Sequence, residues 1–149
     1  MIVLDVSVLI DALFNKDPKR YEKALEFLRY IEDLPLYAPR IMEVELIAVS
    51  RRLGYKAERE KLLKLSKKFK LLKEDDIFNL AIYVADNIHP RAVDAYYIAT
   101  AIATNSIIVA NDKLLVKNSR QSGIEAYYLI EEYNKTINRI KELRKNLKG

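Results

Sequence analysis

Four carboxylates stand in the sequence where their neighbours offer little to neutralise them. Asp5 lies in Ile-Val-Leu-Asp-Val-Ser-Val-Leu-Ile, an almost unbroken apolar setting in which a lone charge is costly. Asp112 follows the apolar run Ile107 to Ala110 by two residues. Asp94 falls about one turn inside a helical pattern from Arg91 to Thr104, on a face shared with Ile98, Ala101 and Ile102. Glu45 falls in Ile-Met-Glu-Val-Glu-Leu-Ile-Ala-Val, on a face with Ile41, Ala48 and Val49, while Glu43, two residues away, points elsewhere. Taken singly, each acid has a plain explanation. Asp5 and Asp112 can cap helices beginning near Val6 and Lys113, and Asp94 and Glu45 can form ion pairs, for instance with Arg91 or Arg52. Taken together they are explained more economically by a shared divalent cation, because grouped carboxylates cannot all stay ionised without one. Oxygen ligands alone select Mg²⁺ or Mn²⁺ over zinc, and sites of that kind catalyse in-line displacement at phosphorus. The expected reaction class is hydrolysis of a phosphodiester.

The rest of the composition removes competing chemistries. No cysteine is present, which excludes disulfides, thiolate catalysis and cysteine zinc sites, and His89 is the single histidine. Gly54, Gly123 and Gly149 are the only glycines, too few and too scattered for a P-loop or a dinucleotide fingerprint. No apolar run approaches membrane length and the N-terminus lacks a leader-like pattern, so no membrane association and a cytoplasmic location are expected.

The elements that must hold these acids follow from periodicity. Ile2 to Leu4, Leu36 to Ala38, Leu71 to Leu72, Ile107 to Ala110 and Ala126 to Leu129 are short apolar runs that fit strands. Between them, helical spacing marks Pro18 to Asp33 behind an Asp17 cap, a helix opened by Pro39 and stopped by Gly54, and one opened by Pro90 through Thr104. The segment Arg51 to Lys73, with Leu62, Leu63, Leu65 and Phe69, fits an amphipathic helix with a solvated basic face. Alternation of strand and helix implies a single α/β domain with a mainly parallel central sheet flanked by helices in three layers. Ligands of such sheets bind beyond the carboxyl ends of the strands, where Asp5 and Asp112 both fall.

These motifs also resemble a known family. Leu-Asp-Val-Ser-Val-Leu-Ile-Asp-Ala-Leu, Ala-Pro-Arg-Ile-Met-Glu-Val-Glu-Leu, Ala-Val-Asp-Ala-Tyr-Tyr-Ile-Ala-Thr-Ala and Ile-Ile-Val-Ala-Asn-Asp-Lys-Leu-Leu occur in the order found in PIN-domain ribonucleases, especially VapC-type toxins. The resemblance covers residues 1 to about 130. It implies a metal-dependent endoribonuclease in which Asp5, Glu45, Asp94 and Asp112 are catalytic and hold Mg²⁺ or Mn²⁺, with the Ser7 hydroxyl supporting the first acid. It further implies an RNA substrate, frequent homodimers and, for toxin members, a small antitoxin partner. Many members carry Thr or Ser two residues before the fourth acid, where this chain has Ala110.

Other features read more plainly. Asn111 is a candidate for positioning substrate or an acid. Tyr96, Tyr97, Tyr127 and Tyr128 suit base stacking but are read first as core residues with a hydrogen bond at the rim. His89, just before Pro90, is read as a helix-entry residue. Residues 1–134 form the expected nuclease domain and 135–149 a basic helical extension of it. There Ile137, Ile140, Leu143 and Leu147 recur at helical spacing, leaving Lys135, Arg139, Lys141, Arg144, Lys145 and Lys148 as candidate RNA contacts. Two other functions share parts of this pattern: a non-catalytic PIN-fold module that binds RNA or assembles with partners, and an aspartyl phosphatase of the haloacid dehalogenase type. The latter normally needs an acid two residues after the first, where Ser7 stands.

Overall fold

The computed structural model describes residues 1–148. The chain alternates β1 (Ile2–Leu4), α1 (Val6–Leu13), α2 (Pro18–Tyr30), β2 (Leu36–Pro39), α3 (Met42–Arg52), α4 (Arg59–Ser66), β3 (Phe69–Leu72), α5 (Glu74–Asn87), α6 (Ala92–Thr104), β4 (Ile107–Ala110), α7 (Lys113–Gln121), β5 (Ala126–Tyr128) and α8 (Tyr133–Lys148). Five strands form one sheet in the order β3-β2-β1-β4-β5, and every neighbouring pair is parallel. Parallel pairing needs crossovers, and the helices between the strands supply them while covering the sheet. The middle strands show the consequence: Ile2, Val3 and Leu4 of β1 and all four residues of β4 are buried. Helix α6 packs across β2, β1 and β4, which makes it the central lid of the core.

Strand order also fixes where a site can form. The chain builds outward from β1 through β2 to β3, then returns to the other side of β1 with β4. Neighbouring connections therefore diverge between β1 and β4, and a crevice opens beyond their carboxyl ends. The backbone N–H of Asp5 donates to the Val109 carbonyl at 3.0 Å, so the first acid is pinned to β4 as well as to its own strand.

Several expected boundaries move, each for a local reason. Pro39 closes β2 rather than opening a helix; its missing N–H is tolerated at a strand end, and the next donor, Arg40 N, reaches the Leu72 carbonyl at 2.8 Å. Helix α3 therefore starts at Met42 and ends before Gly54, whose φ of +83° is the left-handed turn that glycine accepts. The basic segment Arg51 to Lys73 is not one helix but the end of α3, all of α4 and β3, and Phe69 is buried as a strand residue. Helix α6 begins at Ala92, two residues after Pro90, and stops at Asn105 with φ of +50°. Helix α8 begins at Tyr133, ahead of the expected boundary at 134. Thr136 and Ile140 are fully buried, so it covers the core of the same fold.

Candidate active site

The crevice beyond β1 and β4 is an open cleft of about 560 Å³, and Asp5, Glu45, Asp94 and Asp112 all line it. Each comes from a different part of the chain. Asp5 ends β1 and caps α1, and Asp112 follows β4 and caps α7. Glu45 lies in the first turn of α3 and Asp94 in the first turn of α6. The capping explanations and the clustering hold together, because one oxygen of a carboxylate can serve a helix end while the other faces the cleft.

Each of the four acids has one oxygen held by a group of the protein. Asp5 Oδ2 accepts from Ser7 N at 3.1 Å and Asp112 Oδ1 accepts from Leu114 N and Leu115 N, each at 3.1 Å. Glu45 Oε1 accepts from the Tyr97 hydroxyl at 3.0 Å, and Asp94 Oδ2 lies 2.8 Å from His89 Nε2. Anchored in this way, each side chain loses freedom before any ligand arrives, which lowers the entropy cost of binding one.

Burial first, and repulsion among the acids second, set the electrostatics of the cleft. Burial, with Asp5 at 5% exposure, pushes its carboxyl up to about 6; the Ser7 hydrogen bonds pull it back, and the charges of Asp94 and Asp112 push it further up. Burial likewise lifts Glu45 to about 7, with Asp5 and Asp94 adding repulsion against the opposing pull of the Tyr97 hydroxyl and Arg52. Tyr97, itself fully buried, is held well above the usual phenol range by burial and by the charges of Asp5 and Glu45. It is a donor fixed on Glu45 and fills the core, as its sequence context suggested. Replacing it with Phe should remove the opposing pull and raise Glu45 further, a change that a carboxyl-detected nuclear magnetic resonance titration would register.

Arrangement departs from expectation in some details. Ile102 is 38% exposed and Ala48 is exposed, so the apolar faces that carry Asp94 and Glu45 are narrower than their spacing implies. Glu43 does turn away, accepting from Ser66 Oγ at 2.9 Å. Asn111 positions an acid that the sequence pattern did not single out: its Nδ2 donates to Asp11 Oδ2 at 2.7 Å, and its backbone N–H donates to Ser7 Oγ at 2.8 Å. Arg20 closes this corner through Nε and Nη2, 3.2 and 3.0 Å from the two Asp11 oxygens. Asp11 and Arg20 line the cleft too, but Asp11 is already neutralised. Arg52 and Arg91 complete the rim, and Arg91 Nη1 stands 3.9 Å from Asp112 Oδ2.

A family model described as PIN domain matches residues 2–120. The chain belongs to the PIN domain family. No curated protein matches it. PIN domains are generally metal-dependent nuclease modules that act on RNA, and the five-stranded parallel sheet with its flanking helices is the architecture expected of one. Among the described residues, no three His, Cys, Asp or Glu side chains stand close enough together to hold one ion as they lie. The donor set of this PIN domain nevertheless fits a hard divalent cation in kind: four carboxylates and no soft ligand, with Asp5 and Glu45 raised in proton affinity first by burial and then by the charges of neighbouring acids.

None of the six basic residues expected to meet RNA lines the cleft. Arg139 is bound to Glu125 at 2.6 Å and to Glu142 at 3.0 Å; Arg144 is bound to Asp33 at 2.7 Å and to the Tyr30 carbonyl. The second half of α8 borders Met1, Ser106 and Gly123, at the amino ends of the strands, opposite the acids. Ile140 is buried and Ile137 and Leu143 pack on the core, whereas Leu147 is 55% exposed. Among the described residues no helix is long and apolar enough to cross a membrane.

Proposed function

We propose that this PIN domain is an endoribonuclease in which Asp5, Glu45, Asp94 and Asp112 hold Mg²⁺ or Mn²⁺. The observation that carries the reading is the convergence of four carboxylates, from four separate elements, on one cleft at the switch point of the sheet. A bound divalent cation would supply charge neutralisation at the scissile phosphodiester and activation of a water for in-line attack. The protein's own contribution is orientation. Ser7 N, Tyr97, His89 and the first amides of α7 each fix one carboxylate, and the Ser7–Asn111 bond ties the end of β1 to the end of β4. Arg52 and Arg91, exposed at the rim, offer guanidinium groups to flanking phosphates. Cleavage of a mixed RNA pool in Mg²⁺ or Mn²⁺, silenced by chelator, tests the reading. RNA binding without cleavage under every metal condition would replace it with the non-catalytic module.

The rim arginines lead to a second expectation about substrate binding. With cleavage blocked by Asp94→Asn, Arg52→Ala combined with Arg91→Ala should flatten the slope of log affinity against log salt by about 0.7 for each phosphate no longer held. Lys141→Gln, Lys145→Gln and Lys148→Gln together should leave that slope unchanged, because those side chains sit on the far half of α8. A flattened slope in the lysine triple variant would return the RNA path to the C-terminal helix.

As a toxin of the VapC type, the protein would also have partners. A basic side chain of a small antitoxin laid over the acids would pair with them and compete with the cation. A homodimer is supported by Val44 on α3 and Phe78, Ile82 and Tyr83 on α5, apolar side chains that are each more than half exposed. Sedimentation at roughly tens of micromolar should show the dimer, and Phe78→Lys with Ile82→Lys should convert it to monomer. A wild-type monomer at that concentration counts against the dimer and leaves the nuclease reading untouched.

A further inference from the structure

His89 is the only histidine of the chain, and its side chain is fully buried. It lies in the connection between α5 and α6, fixed at the backbone by His89 N donating to the Val84 carbonyl and Arg91 N donating to the His89 carbonyl, each at 2.9 Å. Both ring nitrogens are in contact. Nε2 is 2.8 Å from Asp94 Oδ2, and Nδ1 is 2.8 Å from Asn118 Nδ2 on α7. A carboxylate facing Nε2 offers lone pairs, so the hydrogen in that contact belongs to Nε2. An amide N–H facing Nδ1 needs a lone pair there, so Asn118 selects the tautomer that places the hydrogen toward Asp94. The chain Asn118, His89, Asp94 also links the helix capped by Asp112 to the helix that carries Asp94, and so relates the positions of two cleft acids.

We infer that His89 is a positioning residue: through Nε2–H it holds Asp94 Oδ2 and leaves the other oxygen of Asp94 to the cleft, with Asn118 setting the tautomer. The inference rests on the reading of Asp94 as a cation ligand given above. Its value lies in orientation of a carboxylate whose own helix would otherwise let it rotate, and partners of this kind around metal ligands are typically worth about one to two powers of ten in affinity.

Because there is one histidine, its imidazole can be observed without assignment ambiguity. Long-range proton–nitrogen spectra of the full chain in chelator should show the hydrogen on Nε2 and a bare Nδ1; a bare Nε2 overturns the inference. Mn²⁺ binding, measured without RNA, provides the functional readout. His89→Phe should weaken it about ten- to a hundred-fold, and His89→Gln, whose amide can still donate near the Nε2 position, should restore most of the loss. Asn118→Leu leaves His89 in place, so it keeps the test open should His89→Phe fail to fold; it should shift the tautomer balance and weaken Mn²⁺ to a lesser degree. Equal Mn²⁺ affinity in wild type, His89→Phe and Asn118→Leu overturns the positioning role alone. Absence of Mn²⁺ binding in wild type overturns the cation reading and this inference with it.

Discussion

Replacing Asp94 with Asn should reduce RNA cleavage by about a thousand-fold, corresponding to roughly 4 kcal/mol of lost stabilisation of the charged transition state, while the protein stays folded. The two halves of that expectation come from different atoms. An amide keeps the size of the side chain, and its oxygen can still accept from His89 Nε2, so the hydrogen bond at 2.8 Å survives and α6 keeps its place over the sheet. What disappears is one negative charge in the cleft and, with it, the oxygen ligand that the proposed cation would lose. Cleavage of defined RNA should therefore fall to the chelator level, with far-ultraviolet circular dichroism and thermal midpoint preserved. Full activity in the Asn variant, still sensitive to chelator, would move the cation away from Asp94.

How much of the fold and site is legible in the sequence depends on whether a residue's role is local. Asp5 and Asp112 can be found because a charge within two residues of the end of a buried parallel strand has one place to go, the carboxyl edge of the sheet. Glu45 and Asp94 can be found because each interrupts an apolar helix pattern. The width of those patterns overstates burial, since a helix on a small sheet buries a narrow stripe and leaves Ala48 and Ile102 toward solvent. Partners that act across the fold leave no periodic mark. Asn111 meets Asp11 across 100 residues, Tyr97 meets Glu45 across 52, and Asn118 meets His89 across 29. His89 carries one usable signal, a lone imidazole five residues ahead of an acid, but its loop has no period to say which way the ring turns. In the C-terminal basic cluster the helix is readable, but the partners of its arginines, Glu125 and Asp33, are not, because those pairings are set by tertiary packing.

In chelator, the metal-free protein should lose stability as pH rises from about 4 to about 7, and Asp5→Asn should lessen that loss. The sign follows from proton affinity. Asp5 rises from an ordinary 3.8 to about 6 on folding, and Glu45 from 4.5 to about 7, so in this interval the native state binds more protons than the unfolded chain. Stability is then complete below the unfolded values and falls as pH passes through the folded ones. The shift at Asp5 alone, driven first by burial, amounts to roughly 3 kcal/mol. For a chain of this length that is a fall of about 10 °C in thermal midpoint. Carboxylates held low by partners, such as Glu125 beside Arg139, gain stability over the lower part of the same range, so the informative quantity is the difference between variants rather than one curve. Asp5→Asn removes a buried charge while its amide oxygen can still accept from Ser7 N, and the variant should be the more stable protein at about pH 8 in chelator. Saturating Mn²⁺ should reverse the order, since only wild type gains the full binding energy of a cation among four carboxylates. Thermal melts of both proteins at about pH 4.5 and about pH 8, with chelator and with Mn²⁺, provide the comparison. Parallel behaviour of the two proteins across pH in chelator would mean that Asp5 carries no excess charge strain, and the electrostatic case for a cation at this cleft would fail.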